Sequence, residues 1–211
     1  MNNLGFDGKM KVLPGCAFCI NGPEFDKDSN ERTIIETPNF RVFPTLGQIT
    51  EGYLLIVPKE HYASVGSLPK EMFPEINEIK KEVGKRIKKA YDKNPTFFEH
   101  GGIGQTIYHA HVHALPFPDN VDLFDNYHKD FPFFERINSL DNLADIWNTR
   151  GNYLFYEING NMFAFYTPVK PMYARIAVAN ALGVPERANW RTMDRKIDEE
   201  MIQRTLEKLS K

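Results

Sequence analysis

Three of the chain's six histidines stand in one short segment, YHAHVHALP, at positions 108 to 116. His109, His111 and His113 occupy every second position, and Ala110 and Val112 separate them. Because side chains of a β-strand alternate between its two faces, this spacing predicts a strand with three imidazoles on one face and apolar residues in a core on the other. A row of imidazoles can either bind a metal ion or carry out nucleophilic and acid–base chemistry.

A second group of candidate residues is the cysteine pair Cys16 and Cys19 in the segment CAFC, which holds the only two cysteines of the chain. In a reducing compartment, a pair at this spacing is more often a metal clip or a redox pair than a structural disulfide. Two buried thiols without further chemistry are the alternative. The pair alone does not decide between these interpretations.

Composition restricts the functions that these residues can serve. The 211 residues are 42% hydrophobic and 26% charged, which suits one good core and a smaller second one. A formal net charge of -2 gives no general polyanion-binding surface, so we expect no general nucleic-acid binding and only local contacts to a nucleotide. No stretch approaches the roughly 18 apolar residues of a membrane helix, and the amino terminus has no apolar signal core. We therefore expect a cytoplasmic protein without a membrane partner.

The elements that must position the histidines follow from hydrophobic patterning. TIIET, FRVFP, YLLIVP at 53 to 58, TFFEH and QTIYHAHVHAL predict strands, and the polar stretch NGPEFDKDSNER at 21 to 32 predicts a loop. Apolar residues recur at three- and four-residue steps between positions 67 and 94 and predict an amphipathic helix that packs on the sheet. We expect these elements to form an α+β domain over residues 1–118.

The remaining residues, 119–211, predict a smaller α+β extension packed on the first domain. Residues 119 to 150 predict irregular structure with a short helix around SLDNLADIW. YLFYEI and NMFAFYT flank Asn159-Gly160, a favoured dipeptide for a tight hairpin turn. YARIAVANAL, stopped by Gly183 and Pro185, and DRKIDEEMIQRTLEKL predict two helices.

The stretch GQTIYHAHVHALP, together with the upstream IVPKEH, resembles the histidine triad (HIT) superfamily of nucleotide hydrolases and transferases. The family motif is His-x-His-x-His followed by two apolar residues, and positions 109 to 115 match it throughout. The resemblance covers roughly residues 14 to 118. It implies an antiparallel sheet with a long packed helix, in agreement with the patterning.

The resemblance also implies roles for individual residues. His111 would attack the α-phosphorus of a nucleotide and form a covalent nucleotidyl intermediate, and His113 would orient the phosphate or help proton transfer to the leaving group. Gly104, Gln105 and Thr106 would hold the phosphate, with His100 as a further substrate contact or, equally, a loop histidine satisfied by backbone. The function implied is a nucleotide-phosphate hydrolase. The alternatives are a nucleotidyltransferase with phosphate or a sugar phosphate as acceptor, and a non-catalytic nucleotide-binding module.

Zinc-containing relatives suggest a use for the cysteine pair. Carried over to this chain, the ligands of a structural zinc ion would be Cys16, Cys19, His61 of PKEH, and His109. Two thiolates and two imidazoles suit a closed tetrahedral site with no position for a catalytic water. A metal cup made by the three histidines of the triad is the competing interpretation.

The chain also departs from its relatives. Thr45 stands where many of them have an acidic ribose contact, and Tyr53 stands where they often have histidine. Tyr53 is expected in the core, and Arg175 is expected in a salt bridge on a helix surface more often than at a phosphate. His128, Trp147 and Trp190 have no motif around them, so we expect packing or exposure. Small relatives are typically homodimers, which predicts a possible homodimer here.

Overall fold

The computed structural model describes residues 15–20, 22–23, 25–166 and 170–210, so the first 14 residues of the predicted first domain lie outside the described part. Eight strands in the described part form one sheet, in the order β1-β2-β3-β5-β4-β7-β8-β6, and every neighbouring pair is antiparallel. The strands are β1 Ile35–Glu36, β2 Phe40–Pro44, β3 Leu54–Pro58, β4 Asn94–Gly101, β5 Val112–Phe117, β6 Phe134–Ile137, β7 Tyr153–Ile158 and β8 Asn161–Phe165. This confirms the α+β class with an antiparallel sheet.

Helices cover both faces of the sheet. They are α1 Lys27–Glu31, α2 Phe73–Tyr91, α3 Phe124–Asp130, α4 Asn142–Arg150, α5 Tyr173–Ala181 and α6 Arg195–Leu209. The long helix α2 buries Ile76, Ile79, Val83 and Ile87 in one core, which also takes apolar residues of α4. A second core on the opposite face takes apolar residues of α3 and α5. No helix in the described ranges is long and apolar enough to cross a membrane.

The hairpin β7–β8 joins the sheet through β4, against which β7 pairs over six residues. Its turn is the predicted one, because Asn159 and Gly160 both have positive φ, at 49° and 75°. Two positive φ angles are what a tight hairpin turn of this kind requires, and Asn-Gly tolerates them. The strand TFFEH is thus flanked by β5 on one side and by the hairpin on the other.

Two elements between residues 119 and 150 were not predicted. Helix α3 buries Tyr127, whose ring stacks on Tyr156 of β7 at a centroid distance of 4.7 Å. Strand β6 pairs with β8 over four residues. Both elements depend on partners that are distant in sequence, so their own short segments carry little periodic signal.

The stretch at 21 to 32 is also not simply a loop. Residues Lys27–Glu31 form the short helix α1, and Asp26 caps it by accepting a hydrogen bond from the Ser29 backbone N–H. An N-cap aspartate satisfies a backbone donor that the helix itself leaves free, which stabilises a polar turn without an apolar stripe. Residues 21 and 24 of this stretch lie outside the described part.

Candidate functional site

The histidine segment does not form one continuous strand. Strand β5 begins at Val112, so His109 and His111 precede it and the predicted strand over QTIYHAHVHAL is corrected at this end. The reason lies in the backbone, where the Ala110 N–H donates to the Tyr62 carbonyl at 2.7 Å and the His109 carbonyl accepts from an imidazole. These groups are therefore not available to a neighbouring strand. The alternation of faces survives, since Ala110 and Val112 lie in the core beside α2.

His111 is held in one tautomer by its own backbone. Its Nδ1 lies 2.6 Å from the carbonyl oxygen of His109, and because a carbonyl only accepts, Nδ1 carries the proton. The lone pair of the neutral ring is then on Nε2. Burial and, to a smaller extent, the charge of Arg175 lower the pKa of His111 to about 4, although the hydrogen bond to the His109 carbonyl acts in the opposite direction. At neutral pH the ring is an uncharged base with a free nitrogen.

His113 stands next to His111, with ring centroids 4.7 Å apart. Its Nδ1 is 2.7 Å from the Tyr53 hydroxyl, and its ring stacks on Phe98 with centroids 4.3 Å apart. Burial raises the pKa of Tyr53 to about 12, so the phenol keeps its proton. Burial also lowers the pKa of His113 well below its usual value. Tyr53 is in the core as predicted, and its hydroxyl contacts the triad.

The two histidines open into a cleft of about 190 Å³ on the sheet face opposite α2. Each of the predicted substrate-binding residues lines this cleft: His100, Gly104, Gln105 and Thr106. The other lining residues come from the CAFC segment, from the two caps of α1, from β2, β3 and the loop after β2, from the segment before the triad, and from beyond residue 170. They are Ala17, Phe18, Asp26, Arg32, Phe43, Thr45, Leu46, Leu55, Ile107, Met172, Arg175 and Trp190.

Two of the predicted substrate contacts make hydrogen bonds within the protein. Gln105 donates through Nε2 to the carbonyl of Ala63 at 3.0 Å, while its buried Oε1 has no partner among the described residues. His100 belongs to β4 rather than to a loop, and its Nε2 accepts from the Ala174 N–H at 3.3 Å. Burial lowers the pKa of His100 to about 3, so this imidazole is neutral. Its proton is on Nδ1.

Glu99 lies beside His100 in the sequence but on the other face of β4. It is fully buried and accepts hydrogen bonds from the Val65 N–H at 2.7 Å and the Tyr153 hydroxyl at 2.6 Å. Burial raises the pKa of Glu99 to about 7, which exceeds the lowering by these two donors. Glu99 therefore does not face the cleft, and it links β4 to Val65 and Tyr153 on the opposite face of the sheet.

Cys16, Cys19, His61 and His109 form a buried cluster whose four ligand atoms all lie within 4.8 Å of one another. The Nδ1 of His109 is 3.4 Å from the Cys16 sulfur and 3.7 Å from the Cys19 sulfur, and the Nδ1 of His61 is 3.4 Å from the Cys19 sulfur. Tetrahedral coordination with the usual Zn–S and Zn–N lengths places such nitrogen and sulfur atoms about 3.5 Å apart. The cluster can therefore hold a metal ion.

The tautomer of His109 fits a metal ligand as well. Its Nε2 donates to the Pro58 carbonyl at 2.8 Å, so Nδ1 presents its lone pair to the cysteines. A backbone carbonyl on the second nitrogen is the arrangement usually found around metal-bound histidine. His109 therefore faces the cysteines, whereas His111 and His113 face the cleft. The three histidines do not form one metal cup.

Phe18 connects the cluster to the cleft. It lies between the two cysteines, and its ring meets the rings of His109 and His111 edge to face at centroid distances of 5.8 Å and 5.6 Å. Whatever fixes the CAFC segment therefore also fixes one wall beside His111. Sequence spacing pointed to the cysteines and gave no sign of this aromatic contact.

Arg175 is not in a salt bridge on a helix surface, so this prediction was wrong. Its side chain is buried and donates to the carbonyls of Gly47 at 2.7 Å and Ala188 at 2.9 Å. Its neighbours Ala174, Val178 and Ala179 on α5 are buried as well, and Arg175 itself lines the cleft. An arginine within the apolar sequence YARIAVANAL was the available signal. Of the other residues without a motif, His128 is exposed, Trp147 is partly buried and Trp190 lines the cleft.

The loop between β2 and β3 is tied to the terminal helix. Asp198 of α6 accepts from the backbone N–H groups of Gly47 and Gln48, both at 2.7 Å. The Thr205 hydroxyl accepts from the Gly52 N–H at 2.8 Å. Gly47 has a positive φ of 72°, and a side chain there would meet the Trp190 backbone, so only glycine fits. Residues beyond 170 thereby shape the cleft both directly and through this loop.

Comparison with known proteins agrees with this geometry. Residues 26–119 match the family model of the HIT domain. The chain therefore carries a HIT domain over these residues. No curated protein matches the chain.

Several solved structures are similar in fold. A hypothetical histidine triad nucleotide-binding protein from Sulfolobus tokodaii strain7 is 16% identical over 92% of this chain and 91% of its own, with a TM-score of 0.46. A zinc-bound histidine triad family protein from Mycobacterium smegmatis is 17% identical over 64% of this chain and 91% of its own, with a TM-score of 0.42. A histidine triad protein from Clostridium difficile is 22% identical over 54% of this chain and 98% of its own, with a TM-score of 0.42.

Proposed function

We propose that the protein is a nucleotide-phosphate hydrolase that acts through a covalent nucleotidyl intermediate on His111. The observation that carries this proposal is the 2.6 Å contact between His111 Nδ1 and the His109 carbonyl, which leaves the unprotonated Nε2 of a neutral, buried imidazole as the reactive atom. A nitrogen nucleophile that is free at neutral pH can attack phosphorus without prior proton removal.

The reaction would proceed in two displacements. In the first, His111 Nε2 attacks the α-phosphorus, a P–N bond forms, and the bond from phosphorus to the leaving group breaks. His113 donates a hydrogen bond from Nε2 to the leaving group, because the Tyr53 phenol donates to its Nδ1 and keeps the proton of the neutral ring on the other nitrogen. In the second, a water oxygen attacks phosphorus and loses one proton to solvent, the P–N bond breaks with its electron pair returning to His111 Nε2, and nucleoside monophosphate leaves.

The phosphate would lie beside Gly104, Gln105 and Thr106. Gly104 has a positive φ of 70° and its lack of a side chain permits close approach of the backbone. The Thr106 hydroxyl and the backbone N–H groups of this segment are donors suited to a phosphate oxygen. His100 contributes a neutral imidazole to the same cleft.

We also propose that the buried cluster holds one structural zinc ion, with Cys16, Cys19, His61 and His109 as its four ligands. The nitrogen–sulfur distances of 3.4 to 3.7 Å and the lone pair of His109 Nδ1 support zinc, and four protein ligands leave no position for a reacting water. The ion would secure the CAFC segment and, through Phe18, the wall beside His111.

Turnover of a panel of adenosine and guanosine phosphate derivatives tests the hydrolase. We expect the wild type to release nucleoside monophosphate, and His111→Ala to lose at least about a thousandfold in kcat. The matched control is His128→Ala, since His128 is exposed and outside the cleft. If product formed only when inorganic phosphate is added, and this product were nucleoside diphosphate, the protein would be a transferase. Tight nucleotide binding without turnover would make it a binding module.

Three further expectations stay predictions. The first is the division into a domain of residues 1–118 and an extension of residues 119–211. The second is a homodimer, which light scattering would test by giving twice the chain mass of 24.4 kDa. The third is a cytoplasmic location.

A further inference from the structure

Arg175 is a buried cation that has no acidic partner among the described residues. Its side chain is 5% exposed, and its hydrogen bonds run to three backbone carbonyls, those of Gly47, Ala188 and Arg187. A charge taken out of water without a counter-ion is costly, and carbonyl dipoles offset only part of this cost. An anion at this place would supply the missing charge.

The second arginine of the cleft is already neutralised. Arg32 lies 3.3 Å from the Asp26 carboxylate, and both residues line the cleft. Of the two arginines that line the cleft in the described part of the chain, Arg175 is thus the one without an acidic partner.

Arg175 lies at the His113 end of the cleft. Its guanidinium carbon is 5.2 Å from the centre of the Tyr53 ring, and the Tyr53 hydroxyl is bonded to His113. The opposite wall is Phe18, which contacts His111. Along the cleft the order is thus Phe18, His111, His113 and then Tyr53 with Arg175. A phosphorus attacked by His111 would have its leaving group on the side of His113, and hence beside Arg175.

We propose that Arg175 binds a phosphate of the leaving group, so that the preferred substrates are nucleoside phosphoanhydrides rather than nucleotides that release a neutral amine or alcohol. This proposal rests on the hydrolase function proposed above. When the His111 Nε2–phosphorus bond forms, the anhydride P–O bond breaks and its electron pair stays on the leaving oxygen. That oxygen accepts a hydrogen bond from His113 Nε2 and leaves as part of a phosphate anion, and Arg175 stabilises the negative charge on that phosphate.

The binding step can be tested without turnover. Calorimetric titration with inorganic pyrophosphate would compare the wild type with Arg175→Gln, which keeps hydrogen-bond donors for the carbonyls, and Arg175→Lys, which keeps the charge. The control is Arg191→Gln, because Arg191 is exposed on Trp190 and does not line the cleft. We expect affinity to fall by about tenfold or more in the glutamine variant, to recover in part in the lysine variant, and to be unchanged in the control. Equal affinity in wild type and Arg175→Gln, or no binding by the wild type, would overturn the proposal.

A direct readout in the wild type is needed because Arg175 also donates to three backbone carbonyls, so Arg175→Gln perturbs the fold as well as the cleft. In the wild type, the side-chain N–H resonance of Arg175, assigned by its loss in Arg175→Lys, should shift on addition of pyrophosphate. The corresponding resonance of Arg191 should stay in place. A pyrophosphate titration that leaves the Arg175 resonance unmoved contradicts the proposal.

Steady-state kinetics then distinguish a role of Arg175 in substrate specificity from a role in the fold alone. The ratio of kcat/KM for ADP to kcat/KM for adenosine 5′-phosphoramidate, which releases ammonia, should fall about tenfold in Arg175→Gln. An equal loss on both substrates would mean that Arg175 only supports the fold. If the wild type turns over neither substrate nor any other of the panel, the hydrolase function fails, and the pyrophosphate titration still decides whether Arg175 binds phosphate.

Discussion

The contact between Asp198 and the loop after β2 offers a sharp test of how the terminal helix supports the site. Asp198 is 8% exposed, and its two carboxylate oxygens each accept one backbone N–H, from Gly47 and Gln48, at 2.7 Å. In Asp198→Asn one of these acceptors becomes an amide NH2 group. One N–H then faces a donor instead of an acceptor, and the other bond loses its charge.

The magnitude follows from these two losses. A buried donor left without an acceptor costs about 1–3 kcal/mol, and a hydrogen bond to a charged group contributes about 1.5–3 kcal/mol against about 1 kcal/mol for a neutral one. We expect the free energy of unfolding to fall by about 3 kcal/mol. For a chain of this size the melting temperature would fall by about 6–12 °C.

Urea denaturation followed by circular dichroism measures this free energy directly. The matched control is Glu199→Gln, which makes the same charge change at an exposed position of the same helix and should stay within about 0.5 kcal/mol of the wild type. Because the Gly47 carbonyl accepts from Arg175, Asp198→Asn should also weaken pyrophosphate binding. An Asp198→Asn protein as stable as Glu199→Gln would refute the anchoring role of α6.

Three further predictions concern the site and its supports. Tyr53→Phe removes the hydroxyl bonded to His113, so kcat should fall about tenfold while KM changes little. Cys19→Ser should abolish the binding of about one zinc ion per chain and lower the melting temperature, as measured by metal analysis and calorimetry. Glu99→Gln should change the pH dependence of stability. The folded-state pKa of Glu99 is raised to about 7. The protonated carboxyl therefore contributes its full share to the free energy of unfolding below about pH 4.5, and this contribution is lost as the pH rises through 7. Urea denaturation should show the wild type losing about 2 kcal/mol relative to Glu99→Gln between pH 5.5 and 8.

Controls and contrary outcomes are available for each of these. Tyr108→Phe removes a tyrosine hydroxyl that is near the triad but exposed, and it should leave kcat unchanged. A Tyr53→Phe enzyme with wild-type kcat would show that His113 needs no partner. Full zinc content in Cys19→Ser would remove that ligand from the site. Parallel pH curves for the wild type and Glu99→Gln would mean that Glu99 is ionised in the folded protein throughout this range.

Local patterning predicted those parts of the fold whose cause is local. The apolar residues of α2 recur at helical spacing, and Asn159-Gly160 encodes its own turn. Strand β6 and helix α3 were missed because a strand of four residues and a helix with one buried residue exist only through distant partners. The backbone that departs from β5 before Val112 depends on the Tyr62 carbonyl, which the histidine spacing cannot reveal.

The candidate site likewise contains residues that the sequence predicted and residues that it did not. The motif located His111 and His113 and the cluster around Cys16 and Cys19, and the structure brings each group together. The sequence did not reveal that Tyr53 bonds to His113 or that Arg175 lines the cleft, because both contacts join segments more than 50 positions apart. Buried polar side chains of this kind become visible only when their surroundings are known.

The covalent intermediate on His111 is the central claim, and intact-protein mass spectrometry tests it most directly. The protein would be mixed with adenosine and guanosine phosphoanhydrides, quenched without acid, and compared with His111→Ala. We predict that the wild type gains the mass of one nucleoside monophosphate and that the variant gains none. A wild-type protein that releases monophosphate but never carries this mass, even when quenched within the first turnover, or an adduct that persists in His111→Ala, would contradict the account.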